Sequence, residues 1–566
     1  MTTGFDQRHG FGLRNRLDLV LPIVLIVLAA GVPLLIAAST GSLDQPHNDD
    51  WAYARMAFSL HSSGDVDLVG WNSMNLVGQL VGSQPALWVF GDHYWALALW
   101  TAGLTAVGVG AAWVIARSLL DVRSALVVVA SVVAFPGFAW SSITFMTDSP
   151  AFALEMLALA LAVVGLRQAS SRASWGWLTA ALTMAFASFT VREFGIAAVL
   201  AVGAACVHRH GWRRGATPAV AALAACALFY LWRNGLPLSR GWVATTTVKA
   251  SARNFVRSIT TFSLMMAPIF VLVLAARPRL RRIAGGAAAL GAVTALIVWV
   301  VKGRLPELLI GNYFTSHGAL GTRLTPGARP QLFPDALWNL VNVVTAAATA
   351  ATLALAAITV WRLFRSDALR QTMKRHRPSP VITLLGVFCL TFLGASYGYA
   401  VVSPGLFDRY FWPAIVPLGT LVLYFAGPYV KRLASPALAL LACFALLSLA
   451  TTTNISAFDD ARWDAAGELV SRGVDPQQID AGFEWSGWHA PLTLYPDRQS
   501  FDNRIRGFYV GMFEGPPQCY LMYTAKLPDN SGWEQIDEFT YKQLLMTAGA
   551  TVRVYRSAAV ECATSE

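Results

Sequence analysis

Charged residues are scarce in this chain of 566 residues. Asp, Glu, Lys and Arg together make up 13% of it, whereas a typical soluble protein carries about 25%. Hydrophobic residues reach 55% and the mean hydropathy is +0.50, values that exclude a soluble protein of several domains. Internal repeats and low-complexity tracts are also lacking. What recurs instead, over roughly the first 450 positions, is the apolar run of about 18 or more residues that indicates a transmembrane helix.

Thirteen such spans are predicted, and the first, at 19–39, is too long for the apolar region of a signal peptide. The other twelve are predicted at 95–116, 124–142, 150–166, 175–190, 194–208, 217–233, 258–276, 284–301, 335–361, 381–402, 411–427 and 435–452. Because thirteen is odd, the two ends of the chain lie on opposite sides of the membrane. Loops rich in Arg and Lys fall on the N-terminal side, which the positive-inside rule makes the cytoplasm. The same rule explains the formal net charge of +11, so nucleic acid is not expected as a partner.

The loops at 40–94, 234–257 and 302–334 and the tail from position 453 are predicted to face outward. In the tail the apolar runs give way to short segments separated by Gly, Pro, Asp and Asn, and the segment 550–555 has the pattern of a strand. About 110 residues suffice for one small α/β domain. The prediction is an α-helical polytopic protein of the cell membrane, surrounded by membrane lipids. Its transmembrane domain covers 1–452, and an extracytoplasmic α/β domain covers 453–566.

Cysteine is rare as well, with six residues. Four of them lie in apolar spans, where cysteine serves as a small packing residue. Cys519 and Cys562 lie in the outward tail, where oxidising conditions allow disulfides to persist. We predict that these two form a disulfide, and two unpaired thiols are the alternative.

The best candidates for chemistry are two adjacent acids, Asp49 and Asp50, about ten residues past the first span. The segment after them has the apolar stripe of an amphipathic helix, at positions 53, 56, 57 and 60. This stripe predicts a helix in the outer interface of the membrane. Capping of that helix by Asp49, with Asp50 in its first turn, is one explanation of the pair. The other explanation is a general base at the membrane surface.

A third acid, Asp148, lies in the short outward loop between the third and fourth spans. It is a candidate cap for the fourth span, which begins at Pro150. Two outward loops nevertheless offer carboxylates at one depth. Such an arrangement suits a general base with a helper, or two ligands, Asp50 and Asp148, for a divalent cation.

Two arginines occupy further outward turns. Arg192 precedes Glu193 after the fifth span, and Arg409 lies among aromatic residues before the twelfth. Ionisable groups at the edge of an apolar bundle usually face its interior or a water-filled cavity, and arginine can hold phosphate through two hydrogen bonds. Snorkelling to the interface is the alternative for Arg409. The four outward turns together predict a pocket with a base, a helper and phosphate ligands.

The run around the acid pair resembles the first outer loop of the GT-C superfamily of membrane glycosyltransferases. The motif is Asp49-Asp50-x-x-Tyr53-x-x-x-Ala57, followed by Gly64-Asp65. It is most similar to the branch that holds protein O-mannosyltransferases and the lipid A aminoarabinose transferase. The resemblance extends over nearly the whole chain, through thirteen spans, a small outer C-terminal domain, Asp148 in the second outer loop, Arg192 after span five and the Arg409-Tyr410 turn. At Arg192-Glu193 the chain departs from the Thr-Lys-Gly that relatives often have.

The resemblance implies a polyprenyl-phosphate sugar donor, an acceptor on the outer face and transfer with inversion. The acceptor would be a glycan, lipid or protein of the cell envelope. The family's acidic base maps to Asp49 or Asp50, with Asp148 as its helper, and the donor phosphate maps to Arg192 and Arg409. Candidate contacts to acceptor or sugar are His47, Tyr53, Glu193 and Tyr410. The resemblance fixes no metal requirement, so a divalent cation remains open and no other cofactor is predicted.

Four tryptophans of the same region are candidates for stacking on a sugar, although anchoring at the interface is the more ordinary role of tryptophan. They are Trp51, Trp71, Trp88 and Trp95.

The main alternative function is a secondary transporter or flippase of a lipid-linked or small polar substrate, and a non-catalytic scaffold or lipid-binding protein is the second. Transporters place their binding residues near the midplane of the bilayer, often in broken, repeated helices. Convergence of Asp50, Asp148 and Arg409 at one surface favours the enzyme, whereas a polar cavity at the midplane favours the transporter.

Overall fold

The structure, a computed structural model, describes most of the chain. The described residues are 16–68, 74–237, 247–316, 330–365, 379–402, 406–427, 435–490, 518–546, 549–558 and 560. The helices in these ranges are α1 (Arg16–Ile26), α2 (Val32–Thr40), α3 (Asp50–Ser63), α4 (Val77–Phe90), α5 (Tyr94–Arg117), α6 (Val122–Val133), α7 (Phe138–Ser141), α8 (Asp148–Arg167), α9 (Ser171–Val191), α10 (Ile196–His210), α11 (Trp212–Asn234), α12 (Val248–Ala276), α13 (Pro278–Lys302), α14 (Asp335–Arg365), α15 (Pro380–Val402), α16 (Trp412–Ala426), α17 (Ser435–Ser471) and α18 (Phe483–His489). The strands are β1 (Ile479–Asp480), β2 (Tyr520–Tyr523), β3 (Trp533–Tyr541) and β4 (Ala550–Ser557).

A helix overlaps each of the thirteen predicted spans. Nine helical stretches in the described ranges are long and apolar enough to cross a bilayer. The first of them joins α1 to α2 through the π-helical turn Val27–Gly31. The predicted class, an α-helical multi-pass membrane protein with a small mixed sheet near its C-terminus, is confirmed. The count of thirteen crossings stays a prediction.

Loops that were predicted to share a side of the membrane meet at the same end of the bundle. At one end, Arg117 Nε lies 2.7 Å from Asp18 Oδ1, which joins the end of α5 to the start of α1. At the other end, His47 Nδ1 lies 2.8 Å from Asp459 Oδ2, which joins the first outward loop to the C-terminal part of α17. The alternation of the loops is therefore consistent with these contacts, and which end faces the cytoplasm stays a prediction.

The first outward loop contains two helices rather than one. The predicted amphipathic helix is α3, and three of its four stripe residues are fully buried in the main core: Tyr53, Met56 and Ala57. The second helix, α4, was not predicted. Its 14 residues are too few for a span, and Gln79, Gln84 and Pro85 interrupt the apolar run. Helix α4 packs against α3, whose first residue is Asp50, so both helices belong to the folded surroundings of the acid pair.

Helix α8 carries Asp148 at its first position and is packed tightly against α5. A Cβ atom on Gly108 of α5 would lie 2.7 Å from the Cα atom of Ala153, so only glycine permits this approach. Small residues at helix contacts are the usual means of close packing inside a membrane. The N-terminal end of α8, and with it the carboxylate of Asp148, is thereby fixed relative to the bundle.

The C-terminal region begins as a continuation of the last span. Helix α17 runs unbroken for 37 residues, so the predicted domain boundary at 452/453 falls inside it. The following sheet has the order β1-β2-β4-β3, with β1 parallel to β2 and the other two pairs antiparallel. Strand β4 includes the predicted strand 550–555. Phe458 and Leu469 of α17 pack with Val552 and Val554 of β4 in a second, smaller core.

Candidate active site

One carboxylate, that of Asp148, holds two guanidinium groups. Its Oδ1 is ion-paired with Arg192 Nη1, and its Oδ2 lies 2.9 Å from Arg409 Nε. All three residues are buried, with 5%, 6% and 3% of their surfaces exposed. Thr147 occupies the N-cap position of α8, and the Asp148 carboxylate is used for ion pairing. The predicted convergence of Asp148, Arg192 and Arg409 is therefore observed, and Arg409 is not a snorkelling residue, because its charged group is buried.

Aromatic rings enclose both guanidinium groups. Arg192 lies over the ring of Tyr410, with 4.1 Å from Cζ to the ring centroid, and Arg409 lies over Tyr313 at 4.5 Å and Phe407 at 4.8 Å. A ring face attracts a cation, and more strongly where water is excluded. Burial alone would lower the pKa of Arg409, but the neighbouring Asp148 raises it well above the ordinary value. Both arginines thus stay charged inside an apolar bundle.

The turn that carries Arg409 is fastened to a segment that sequence reasoning missed. Asp408 accepts hydrogen bonds from the backbone N–H groups of Phe314, at 2.7 Å, and of Arg409, at 2.8 Å. This brings Asn312 against Arg409, whose Nη1 donates to the Asn312 side-chain oxygen. Asn312 has a φ of 130°, a backbone conformation that is uncommon outside glycine and that often occurs at functional sites. Its long outward loop carries no motif that could have singled it out.

Asp50 is committed to hydrogen bonds within the protein. One oxygen accepts from the backbone N–H groups of His47 and Asn48, both at 2.9 Å. The other accepts from the Tyr94 hydroxyl and, at 3.2 Å, from the backbone N–H of Phe145. Burial raises the pKa of this carboxyl, against the lowering effect of its neighbours. Asp50 therefore ties the first outward loop to the loop before Asp148.

Asp49 differs from its neighbour in exposure and in surroundings. It occupies the N-cap position of α3, but its side chain makes no hydrogen bond that caps the helix, so the capping explanation does not hold for it. It is half-buried. Burial, and then the negative charge of Asp49, raises the pKa of Tyr53 well above the ordinary value. The same charge contributes a little to the raised pKa values of Tyr313 and Arg409, so Asp49 acts on the arginine cluster electrostatically.

His47 begins a buried chain of ionic contacts that leads to the C-terminal region. Its Nδ1 lies 2.8 Å from Asp459 Oδ2, and Asp459 Oδ1 accepts from Arg462 Nη2 at 2.9 Å. Arg462 Nη1 in turn donates to Glu484 Oε2 at 2.8 Å. All four side chains are at most 4% exposed. None of the last three was predicted, because contacts across 412 positions leave no spacing signal in a single sequence.

The other predicted contact residues lie around the arginines. The Tyr53 hydroxyl donates to Met74 Sδ at 3.3 Å, and Tyr410 lies beneath Arg192. Burial raises the pKa of Glu193, against the positive charges of Arg192 and Arg233. A further buried acid, Glu155, was missed because one carboxylate does not interrupt an apolar run. It lies two turns along α8 from Asp148, about 10 Å deeper into the bundle.

The tryptophans serve different purposes. Trp51 is fully buried, and its ring centroid lies 5.9 Å from that of Phe483, so it is a packing residue. Trp88 is 73% exposed on α4, and Trp95 stacks on His93 at 5.8 Å. Trp71 lies outside the described residues.

The two acids predicted as ligands of a divalent cation are both engaged in other contacts. Among the described residues, no group of three or more His, Cys, Asp or Glu side chains is arranged to hold one. Asp148, one of the two predicted ligands, faces two guanidinium groups that would repel a cation. Asp50, the other, has both oxygens occupied by donors. Both predicted ligands are thus engaged by donors of the protein itself.

Of the two cysteines in the predicted disulfide, only Cys519 lies in the described residues. Cys519 is fully buried in the smaller core, next to β2. Cys562 lies outside the described residues, so the pair stays a prediction.

No family model and no curated protein matches the chain. Solved structures match it at low identity. The structure of ArnT from Cupriavidus metallidurans bound to undecaprenyl phosphate is 13% identical, with 95% of this chain and 98% of that chain covered and a TM-score of 0.41. The Archaeoglobus fulgidus oligosaccharyltransferase in the apo form is 14% identical, with 88% of this chain and 60% of that chain covered and a TM-score of 0.41.

A further match is the same archaeal enzyme, AglB, in complex with an inhibitory peptide and a dolichol-phosphate, at 14% identity and a TM-score of 0.40 over 88% of this chain and 60% of that chain. ArnT and AglB are membrane glycosyltransferases of the GT-C superfamily, the superfamily that the first outer loop resembles. At these TM-scores the likeness assigns no activity to the present chain.

Proposed function

We propose that this protein is an integral membrane glycosyltransferase that moves a sugar from a polyprenyl-phosphate donor to an acceptor on the outer face of the membrane. The observation that carries the proposal is the buried pair Arg192 and Arg409, held by the single carboxylate of Asp148. Two arginines fixed in advance at the end of an apolar bundle suit an anionic group on a lipid.

The arginines would bind the donor phosphate. A guanidinium group matches a phosphate with two parallel hydrogen bonds, and its charge stabilises the phosphate that leaves. Asp148 orients both guanidinium groups. Because one negative charge is shared by two positive charges, the cluster of these three residues keeps a net positive charge for the phosphate. Because the groups are held before the donor arrives, little rearrangement is needed as charge develops on the leaving oxygen.

Asp49 is proposed as the general base, and Asp50 as the residue that holds its loop. A saccharide or protein hydroxyl is a weak nucleophile, so its proton must be taken as it attacks. The acceptor oxygen forms a bond to the anomeric carbon, the proton passes to Asp49, and the bond from that carbon to the phosphate oxygen breaks. The polyprenyl phosphate leaves with the electron pair, and attack from the opposite face inverts the anomeric centre.

The transporter alternative has less support in the described residues. Asp148, Arg192 and Arg409 converge with the loop of Asp49 and Asp50 at one end of the helices. Glu155 is the deeper acid, and it is buried within the bundle. Transporter sites, by contrast, are built near the midplane from broken helices.

The test is transfer by the purified protein in lipid nanodiscs, with a panel of radiolabelled polyprenyl-phosphate sugars and cell-envelope extract as acceptor. We expect label to move from at least one donor to the acceptor fraction. Arg409→Lys keeps the charge but cannot contact Asp148 and Asn312 together, so its Kd for polyprenyl phosphate should rise about tenfold or more. Arg472→Lys, in an exposed ion pair with Glu468 on α17, is the matched control and should bind as wild type.

Movement of an intact donor across proteoliposomes, without cleavage of its sugar, would support the flippase instead. Binding of polyprenyl phosphate that is equal in Arg409→Lys and wild type would remove the proposed role of that arginine.

A further inference from the structure

Buried polar atoms without hydrogen-bond partners are concentrated beside Asp49. Among the described residues, no partner is present for His47 Nε2, for either polar atom of the Asn48 side chain, for Trp140 Nε1 or for the Tyr313 hydroxyl. All four residues are at most 1% exposed. Native proteins satisfy nearly all buried polar groups, so a cluster of this kind needs an explanation, and a polar ligand is one.

The rings of His47, Trp140 and Tyr313 form a continuous surface. The ring centroids of His47 and Trp140 lie 5.8 Å apart, and those of Trp140 and Tyr313 lie 4.8 Å apart. Tyr313 lies beneath the guanidinium group of Arg409 at 4.5 Å. Asn48 lies between His47 and Asp49 in the chain. The surface therefore extends from the proposed base to the proposed phosphate ligand, which is where the sugar of a lipid-linked donor must lie.

These atoms offer both donors and acceptors. The Asp459 carboxylate can only accept from His47 Nδ1, so Nδ1 carries a hydrogen. The indole N–H of Trp140 is a donor, and the Asn48 amide and the Tyr313 hydroxyl supply both kinds of group. Such a set matches hydroxyl groups, which also donate and accept.

The carboxylates near these four residues are engaged with other groups of the protein, so they are poorly placed to pair with a cationic sugar. Asp148 is paired with two arginines, Asp50 accepts four hydrogen bonds, and Asp459 is shared by His47 and Arg462. Asp408 accepts from the backbone N–H groups of Tyr313, Phe314 and Arg409. Each of these four acids among the described residues is thus already engaged, and an ammonium group here would face the charges of Arg192 and Arg409.

We propose that His47, Asn48, Trp140 and Tyr313 form the donor-sugar subsite and select a neutral, hydroxyl-bearing sugar over a cationic amino sugar. This inference rests on the proposed function, since it assigns the sugar that the enzyme transfers. A site built to bond hydroxyl groups rejects analogues that leave its own polar atoms unpaired.

The experiment measures binding of three probes to the full-length protein in nanodiscs: bare polyprenyl phosphate, the same lipid carrying a neutral hexose or pentose, and the lipid carrying an amino sugar. Wild type should bind a neutral-sugar lipid at least tenfold more tightly than the other two. Tyr313→Phe keeps the ring beneath Arg409 and removes only the hydroxyl. It should lose about tenfold in affinity for the neutral-sugar lipid and nothing for the bare lipid.

Asn48→Asp adds a carboxylate that can pair with an ammonium group. This variant should shift the ratio of the affinities for the neutral-sugar and amino-sugar lipids about tenfold toward the amino sugar. Tyr541→Phe is the matched control, because its hydroxyl is also buried without a described partner but lies in β3. Its probe affinities should equal those of wild type. A wild type that prefers the amino sugar, or a Tyr313→Phe protein that binds all three probes normally, overturns the subsite. Tight, selective binding with no transfer to any acceptor instead overturns the glycosyltransferase and leaves the selectivity in place.

Discussion

Asp49 and Asp50 are neighbours in the chain and have different surroundings in the fold. Asp50 accepts four hydrogen bonds in full burial, whereas Asp49 is half-buried, and its charge helps to raise the pKa of Tyr53. Asp50 accepts hydrogen bonds from its own protein on both oxygens, so it has little capacity to accept a substrate proton. The proposed base is therefore Asp49, the acid that is half-buried rather than fully buried.

Replacing each acid by asparagine should separate the two roles. Asp49→Asn keeps the size of the side chain and removes the base, so kcat should fall by about 10² to 10⁴ with little change in melting temperature. Asp50→Asn turns an acceptor amid donors into an amide, so it should lose about 1–3 kcal/mol of stability. Thermal melts and transfer assays on both proteins measure the difference. The assignment is wrong if well-folded Asp49→Asn transfers sugar at the wild-type rate.

Several residues of the candidate site could be named from the residue types in the predicted outward turns, because ionisable groups are rare in this chain. Asp49, Asp148, Arg192 and Arg409 were found in this way. Asn312 and the buried ion chain were not, since neither an asparagine in a long loop nor an ion pair between distant segments leaves a local pattern. Tertiary contact alone reveals such residues.

Asp480 provides a pH-dependent test in the C-terminal region. Burial raises its pKa to about 6 from 3.8, with Gly482 and Arg462 opposing the rise. The folded state therefore binds the proton more tightly than the unfolded state. Stability from this group is full below about pH 4 and is lost as the pH rises through 6, by about 3 kcal/mol in all.

Asp480→Asn should abolish that loss, because the amide oxygen still accepts from the backbone N–H of Gly482 and carries no charge. Melting temperatures of wild type and variant should converge near pH 4, and the variant should be the more stable at pH 7. Parallel melting curves across this range would contradict the shifted pKa.

At the scale of elements, apolar runs predicted where most helices lie, but they did not predict where the helices begin and end. Helix α17 continues past the end of its apolar run, because a helix leaves the membrane without breaking when its exposed end can pack on a domain, here the sheet. Helix α4 was overlooked for the opposite reason, since a short helix with two glutamines and a proline resembles a loop. Both cases concern segments at the water interface, where hydropathy changes and helical structure persists.

Helices α3 and α18 join the first outward loop to the C-terminal region by direct contact. A Cβ atom on Gly487 of α18 would lie 2.3 Å from Cε2 of Trp51, and Arg55 Nη1 donates to the carbonyls of Gly487 and Ala490 at 2.8 and 2.7 Å. The two hydrogen bonds from Arg55 give partners to carbonyl groups at the C-terminal end of α18, where carbonyls have no partner within the helix. Any change that separates α18 from Trp51 should also disturb the acid pair at the start of α3.

Gly487→Ala should therefore destabilise the protein by about 1–3 kcal/mol, the usual cost of overpacking a well-filled core. It should also lower transfer activity, because Trp51 follows the acid pair directly. Gly467→Ala is the control: it lies in α17 with nothing near its added Cβ, and should be neutral or stabilising by about 0.5–1 kcal/mol. Equal melting temperatures for the two variants would show that α18 does not rest on Trp51.

At the scale of the whole molecule, buried contacts join the C-terminal region to the loop of the candidate site. The chain from His47 through Asp459 and Arg462 to Glu484 is buried throughout, and burying paired charges is tolerated only where each has a partner. The C-terminal region therefore supports the loop that holds Asp49. Under the proposed function, sugar is transferred on the side of the membrane on which this region lies.

The redox state of Cys519 and Cys562 tests on which side of the membrane the C-terminal region lies. The tail was predicted outside the cytoplasm, where a disulfide can persist, and Cys519 and Cys562 are about 43 positions apart. By the chain-entropy model a bridge closing such a loop adds roughly 4 kcal/mol, which would stiffen a small core. Mass spectrometry of the non-reduced protein should find one linked pair of peptides, and reduction should lower the melting temperature. Two freely alkylated thiols would count against both the bridge and the outward tail, because a cytoplasmic tail would keep them reduced.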